Sequence, residues 1–239
     1  MTNGTYVTVH EEFDSGVAEI EFVISSATGT KMVLSTEIST GRSADPVVAR
    51  LADGNWVVAW TNAVPAGGDI QFQIRRPDGS VATGIRTAAT GTDAQNEPVV
   101  IAQPEGGFII AWDNDTTDQL QAQAFDAAGN PDGAQVTIFA GIVSTPDISV
   151  TADGRVLFAW RDIGTDEIFS SVWDPRGATI TTDNYRRNPR SDTRPSPGGP
   201  SASAAGRSSA TAQGHSAGTA RRTVAGRWPR TPARSGSAP

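Results

Sequence analysis

Apolar and polar positions recur along this chain with a long period rather than a short one. A proline-led apolar stretch, a tight polar turn and a second apolar stretch ending in Ala-Trp occur three times. They read "DPVVARLADGNWVVAWTN" from Asp45, "EPVVIAQPEGGFIIAWDN" from Glu97 and "TPDISVTADGRVLFAWRD" from Thr145. The tryptophans stand at Trp60, Trp112 and Trp160, 52 and 48 residues apart, each preceded by alanine. A second half-unit follows each: "DIQFQIRRPDGS" from Asp69, "QLQAQAFDAAGN" from Gln119 and "EIFSSVWDPRGA" from Glu167. It also precedes the first full copy, as "EIEFVISSATGT" from Glu19. A fixed period near 50 residues marks a unit that buries its apolar faces by stacking on copies of itself.

Within one unit the pattern predicts strands throughout. Residues 46–51 form a first strand, closed by the Ala52-Asp53-Gly54 turn, where glycine supplies the positive φ of a tight hairpin. Residues 56–60 form a second strand that is apolar on both faces in every copy. The third strand alternates, with Ile20, Phe22 and Ile24 and then Ile70, Phe72 and Ile74 set mostly against polar neighbours, as a strand nearer one surface does. A weaker fourth strand covers residues 84–89. Three or four short antiparallel strands per unit, with the central ones covered on both sides, describe a propeller blade. The expected fold is therefore all-β: a β-propeller-like array of antiparallel four-stranded blades. A lead-in over 1–18 precedes a repeat region over 19–184, with units near 45–96, 97–144 and 145–184. Three and a half units fall short of the roughly 4–8 blades that close a ring, so the array is expected to be incomplete and to self-associate through exposed blade faces.

Charge separates the chain into two parts. Residues 1–184 carry 9 Lys and Arg against 25 Asp and Glu, a net of −16, whereas 185–239 carry 10 Arg and a single acid, a net of +9. The acidic part argues against nucleic acid, whose phosphates require clustered Lys and Arg. The basic part contains no Leu, Ile, Phe, Met, Lys or Glu. Such a composition cannot bury a core and is expected to be disordered. Its Arg, Ala, Pro, Gly, Ser and Thr are what GC-rich DNA encodes out of frame, so 185–239 is read as a frameshifted tail. There is no cysteine, which excludes disulfides and thiolate metal sites. No run reaches the ~18 apolar residues of a membrane span. The N-terminus lacks the basic start and apolar core of a signal peptide.

The pattern at 46–60, 98–112 and 146–160, followed by "QAQAFDAAG" at 121–129, resembles tandem repeats of large bacterial secreted proteins of the calcium-binding RTX (hemolysin-type) class. That resemblance covers residues 19 to about 184. It implies a secreted or cell-surface, extracellular location, a cell-surface or glycan ligand, and a structural or adhesive role without catalysis. The glycine-rich calcium-binding nonapeptides that accompany such repeats are absent here.

Three candidate chemistries remain. In "DNDTTD", Asp113, Asp115 and Asp118 place three carboxylates on one loop, a candidate set for calcium, which takes several oxygen ligands. Their alternative is an acidic solvated connection, because the loop lacks the glycine and closing glutamate of an EF-hand. The tryptophans could stack on sugars, but their register inside apolar strands assigns them to the core. Catalysis has few histidines to draw on, His10 and His215, and the pairs Glu11-Glu12 and Asp166-Glu167 read as solvated faces. The expectation is therefore no enzyme, with a carbohydrate-binding or glycoside-hydrolysing β-propeller as the alternative.

Overall fold

The computed structural model describes residues 4–185 other than 15, 40–41, 64–67, 90–92 and 178. The basic segment expected to be disordered lies outside the described residues, apart from Tyr185. Among the described residues the regular elements are all strands, arranged in four antiparallel sheets. The first sheet holds β1 (Tyr6–Asp14), β2 (Val17–Ser25) and β3 (Lys31–Glu37). The second holds β4 (Ser43–Arg50), β5 (Trp56–Asn62), β6 (Asp69–Arg75) and β7 (Arg86–Ala89). The third holds β8 (Gln95–Ala102), β9 (Phe108–Asn114), β10 (Gln119–Phe125) and β11 (Val136–Ala140). The fourth holds β12 (Val143–Val150), β13 (Val156–Asp162), β14 (Ile168–Asp174) and β15 (Thr179–Tyr185). Each is an up-and-down meander in sequence order, the expected propeller blade.

The blades stack through their strand faces. Val57, Ala59, Ile70, Phe72 and Ile74 of the second blade bury against Phe108, Ile110 and Trp112 of the third. Ile109, Ala111, Leu120 and Ala122 of the third bury in turn against Phe158 and Trp160 of the fourth. Each repeated tryptophan thus plugs the seam with the preceding blade, and Ala59 and Ala111 face the following one. Alternation of side chains along a strand dictates this division. The first strands of successive blades, β4, β8 and β12, lie side by side. They, rather than the doubly covered second strands, form the inner edge of the array.

Two features depart from the sequence reading. The lead-in expected over 1–18 contains β1, which pairs with β2 along its whole length, from Tyr6 opposite Ser25 to Asp14 opposite Val17. Its register identifies it: His10 faces Glu21 as Trp60 faces Gln71. β1 is therefore a second strand, and the first blade lacks an inner strand among the described residues. Each full blade also starts two residues ahead of the expected unit boundary, at Ser43, Gln95 and Val143. The reason is a register shift at the same place in all three, between Ala44 and Val47, Asn96 and Val99, and Ser144 and Asp147.

Candidate functional site

The inner-strand irregularity places acids under backbone strain. Asp45 and Glu97, each directly before the repeat proline, sit at φ 52° and 49°, a left-handed conformation that non-glycine residues adopt at a cost. The Asp45 bulge is tied to the first blade, whose Glu11 Oε1 accepts a hydrogen bond from the Asp45 amide at 2.9 Å. Glu97 stands at the head of β8, at the end of the third blade where β9 finishes and β10 begins.

That end is held by a polar network. Asn114 Oδ1 accepts hydrogen bonds from the amides of Thr116 and Thr117, and its Nδ2 donates to Asp93 Oδ2 at 3.2 Å. Trp112 Nε1 donates to Gln121 Oε1 at 3.1 Å. Asn96 Nδ2 donates to Asp115 Oδ2 at 2.9 Å, and the Asp115 amide donates to Ala94 O. The β9–β10 loop is thereby fastened to the segment that enters β8, two stretches about 20 residues apart in sequence.

Asp113 occupies the centre of this end. It is buried, 5% exposed, on the β9 face that turns toward the fourth blade. Burial pushes its carboxyl up to about 8, reinforced by the negative charges of Asp115, Glu97 and Asp118 and by a hydrogen bond with Asp115. Loss of water disfavours the ionised form, and each neighbouring charge adds to that. Asp113 therefore holds a proton at neutral pH. The equivalent positions of the other blades follow a different chemistry. The second has Thr61, and the fourth has Arg161, whose Nε pairs with Asp166 Oδ1 at 2.6 Å.

Of the three carboxylates expected to hold calcium, Asp113 is buried while Asp115 and Asp118 are exposed. They do not converge. Among the described residues the ligand-type atoms that come within 4.8 Å of one another as a set of three belong to His10, Glu12 and Glu21. Sequence reading missed Glu97, which lies 16 residues from Asp113 and comes beside it only through the β8–β9 hairpin. The doublet of an acid followed by proline, at Asp45 and Glu97, was the available signal.

The tryptophans are core. Trp60, Trp112 and Trp160 rank among the largest fully buried side chains, and Trp173 is 3% exposed. At the opposite ends of the strands a cleft of about 390 Å³ separates the hairpin turns of the third and fourth blades. It is lined by Glu105, Asp132 and Arg176 among others, and contains no aromatic side chain. Arg176 closes it structurally, donating to Asp153 O at 2.7 Å and pairing with Asp174 and Glu105.

No protein-family model and no curated protein matches this chain. Solved structures do. An exo-beta-1,3-galactanase from Phanerochaete chrysosporium, solved with beta-1,3-galactotriose, matches over 78% of this chain at 10% identity, with a TM-score of 0.54. A GH43 beta-1,3-galactosidase matches over 77% at 12% identity, with a TM-score of 0.52. A thermostable family-43 glycoside hydrolase matches over 79% at 14% identity, also with a TM-score of 0.52. The match spans 48%, 44% and 74% of those proteins' own lengths, respectively. At such identities the likeness is one of fold, and those neighbours are five-bladed β-propellers. These neighbours correct the expectations of a non-catalytic structural or adhesive repeat region and of no enzyme: the architecture is shared with glycoside hydrolases.

Proposed function

We propose that this chain is a glycoside-hydrolysing β-propeller, with its chemistry at the Asp113 end of the third blade. One observation carries the reading: the Asp113 carboxyl is buried beside Asp115 and Glu97, and burial and those charges push it up to about 8. Hydrolysis of a glycosidic bond requires one carboxylic acid and one carboxylate whose environments hold them in opposite protonation states. Asp113 supplies the acid, giving its proton to the leaving oxygen as the bond to the anomeric carbon breaks. Glu97 supplies the carboxylate, stabilising the positive charge that develops on the sugar and taking a proton from the attacking water. Asp115 is a positioning residue that accepts the Asp113 hydrogen bond while Asn96 fixes its other face.

The fold neighbours support a glycan as the ligand class, and the fungal galactanase among them holds beta-1,3-galactotriose. The test is hydrolysis of β-1,3-galacto-oligosaccharides and a panel of aryl glycosides by the full chain and by Asp113→Asn and Glu97→Gln. Wild type is expected to release sugar, and both variants to lose about 10²–10⁴-fold in rate. An inactive wild type across the panel, or unchanged rates in Asp113→Asn, overturns the assignment.

A further inference from the structure

The repeat supplies an internal comparison for the strand end that carries Asp113. The tryptophan of every full blade is buried in a seam, yet among the described residues Trp60 Nε1 and Trp160 Nε1 meet no hydrogen-bond partner. Stacking therefore tolerates an unpaired indole N–H, at the cost of an unmade bond. In the third blade the same atom is paired, Trp112 Nε1 donating to Gln121 Oε1 at 3.1 Å. Gln121 stands directly opposite Trp112 on β10, and its counterparts opposite Trp60 and Trp160 are Gln71 and Phe169. Gln71 is the same residue type, so composition alone does not make this bond.

The Gln121 oxygen takes a second donor, Asn114 Nδ2, at 3.4 Å. Trp112 and Asn114 are the chain neighbours of Asp113, so one carboxamide oxygen holds the residues on either side of the candidate acid. Trp112, Asn114 and Gln121 are all buried. The carboxamide is itself oriented: Gln121 Nε2 donates to Gln119 Oε1 at 2.8 Å, which also accepts from Thr137 Oγ1 at 3.2 Å. That leaves the oxygen to face β9. Alternation along β9 puts Asp113 on the opposite side of the strand from Trp112 and Asn114. Gln121 thus reaches the acid only through the backbone that those neighbours share with it. Asn114 in turn accepts from the amides of Thr116 and Thr117, so the same anchor extends to the loop that carries Asp115.

We propose that Gln121 is a positioning residue, whose oxygen clamps Trp112 and Asn114 and so fixes where Asp113 and the Asp115 loop stand. Its catalytic part rests on the reading of Asp113 as the acid of a glycoside hydrolase. A misplaced acid slows the step that needs its proton more than it weakens substrate binding.

The experiment compares the full chain with Gln121→Met, which removes the acceptor, and Gln121→Glu, which keeps one. Gln71→Met makes the same change in the second blade, where no tryptophan N–H is held. On unactivated oligosaccharides Gln121→Met should lose about tenfold in kcat with KM within about twofold, and dinitrophenyl glycosides should lose much less. Gln121→Glu should keep most of the wild-type rate, and Gln71→Met all of it. Amide hydrogen exchange reads the clamp without substrate. Exchange of the Asp115, Thr116 and Thr117 amides should quicken about tenfold in Gln121→Met and stay unchanged in Gln71→Met. Should Gln121→Met fail to fold, Trp112→Phe removes one of the two donors. Trp60→Phe, which loses the same volume but no bond, is its control. Unchanged exchange at those amides, or equal quickening in variant and control, overturns the clamp. Equal rate losses in Gln121→Glu and Gln121→Met, or a loss confined to KM, overturn the positioning role. A wild type inactive on every glycoside defeats the acid reading of Asp113 instead, and exchange still decides the clamp.

Discussion

Asp113 and Asp115, two residues apart at the end of β9, share a hydrogen bond, and Asp113 keeps the proton. The second carboxyl is exposed and the first is buried, and loss of water disfavours the ionised form of Asp113. Burial on one side of a strand end and solvent on the other gives two identical groups different surroundings.

Stability should fall with pH because of this group. Unfolded, Asp113 has the ordinary aspartate value near 3.9; folded, it is raised to about 8. Between those values the native state binds the extra proton, so stability is greatest below the lower one. It is lost progressively as pH rises to about 8, and is level above that. The full span has an upper figure of about 6 kcal/mol. Asp113→Asn should flatten the slope between pH 5 and 8 in urea titrations and exceed wild type in stability at pH 9. An unchanged slope in the variant would show that Asp113 is ionised in the native state.

Activity should share the same upper limit. With Asp113 as proton donor, kcat/KM declines about tenfold per pH unit above pH ~8. The rates of substrates whose leaving groups need no protonation, such as dinitrophenyl glycosides, should decline far less in Asp113→Asn than those of unactivated oligosaccharides. Equal losses for both classes would remove the acid role.

Calcium should leave the fold unaffected. Because Asp113, Asp115 and Asp118 do not gather their ligand atoms, the melting temperature in millimolar calcium should equal that in chelator. An upward shift abolished by Asp115→Asn would restore the cation site that the loop composition suggests.

Equivalent positions should differ in their energetic weight. Trp60 is 0% exposed in the seam between the first and second blades, so Trp60→Ala should cost about 3–5 kcal/mol. His10 holds the same register on an open face, with its side chain 48% exposed and paired to Glu21. His10→Ala should cost less than about 1 kcal/mol. Chemical denaturation of the two variants compares them directly.

The repeat was legible because three of four blades place the same side chains at the same contacts. Trp60, Trp112 and Trp160 had to be tryptophan to fill the same seam, and Gly54 and Gly154, at φ 90° and 83°, had to be glycine to close the same hairpin. β1 escaped notice for the converse reason. Its outer face meets no blade among the described residues, so His10 and Glu12 stand where the period calls for apolar and neutral side chains. The periodic sign vanished with the contact that enforces it.

The amino-acid sequence by itself determined the strands, their order and the unit that stacks, since alternation and turn chemistry act over a few residues and recur. It also singled out Asp113, though as one of three loop carboxylates. Only the tertiary structure decided that Asp113 is buried and that Glu97 stands beside it on a strained inner strand. Protonation state and seam burial depend on what approaches from another hairpin or another blade, and no local pattern records that distance.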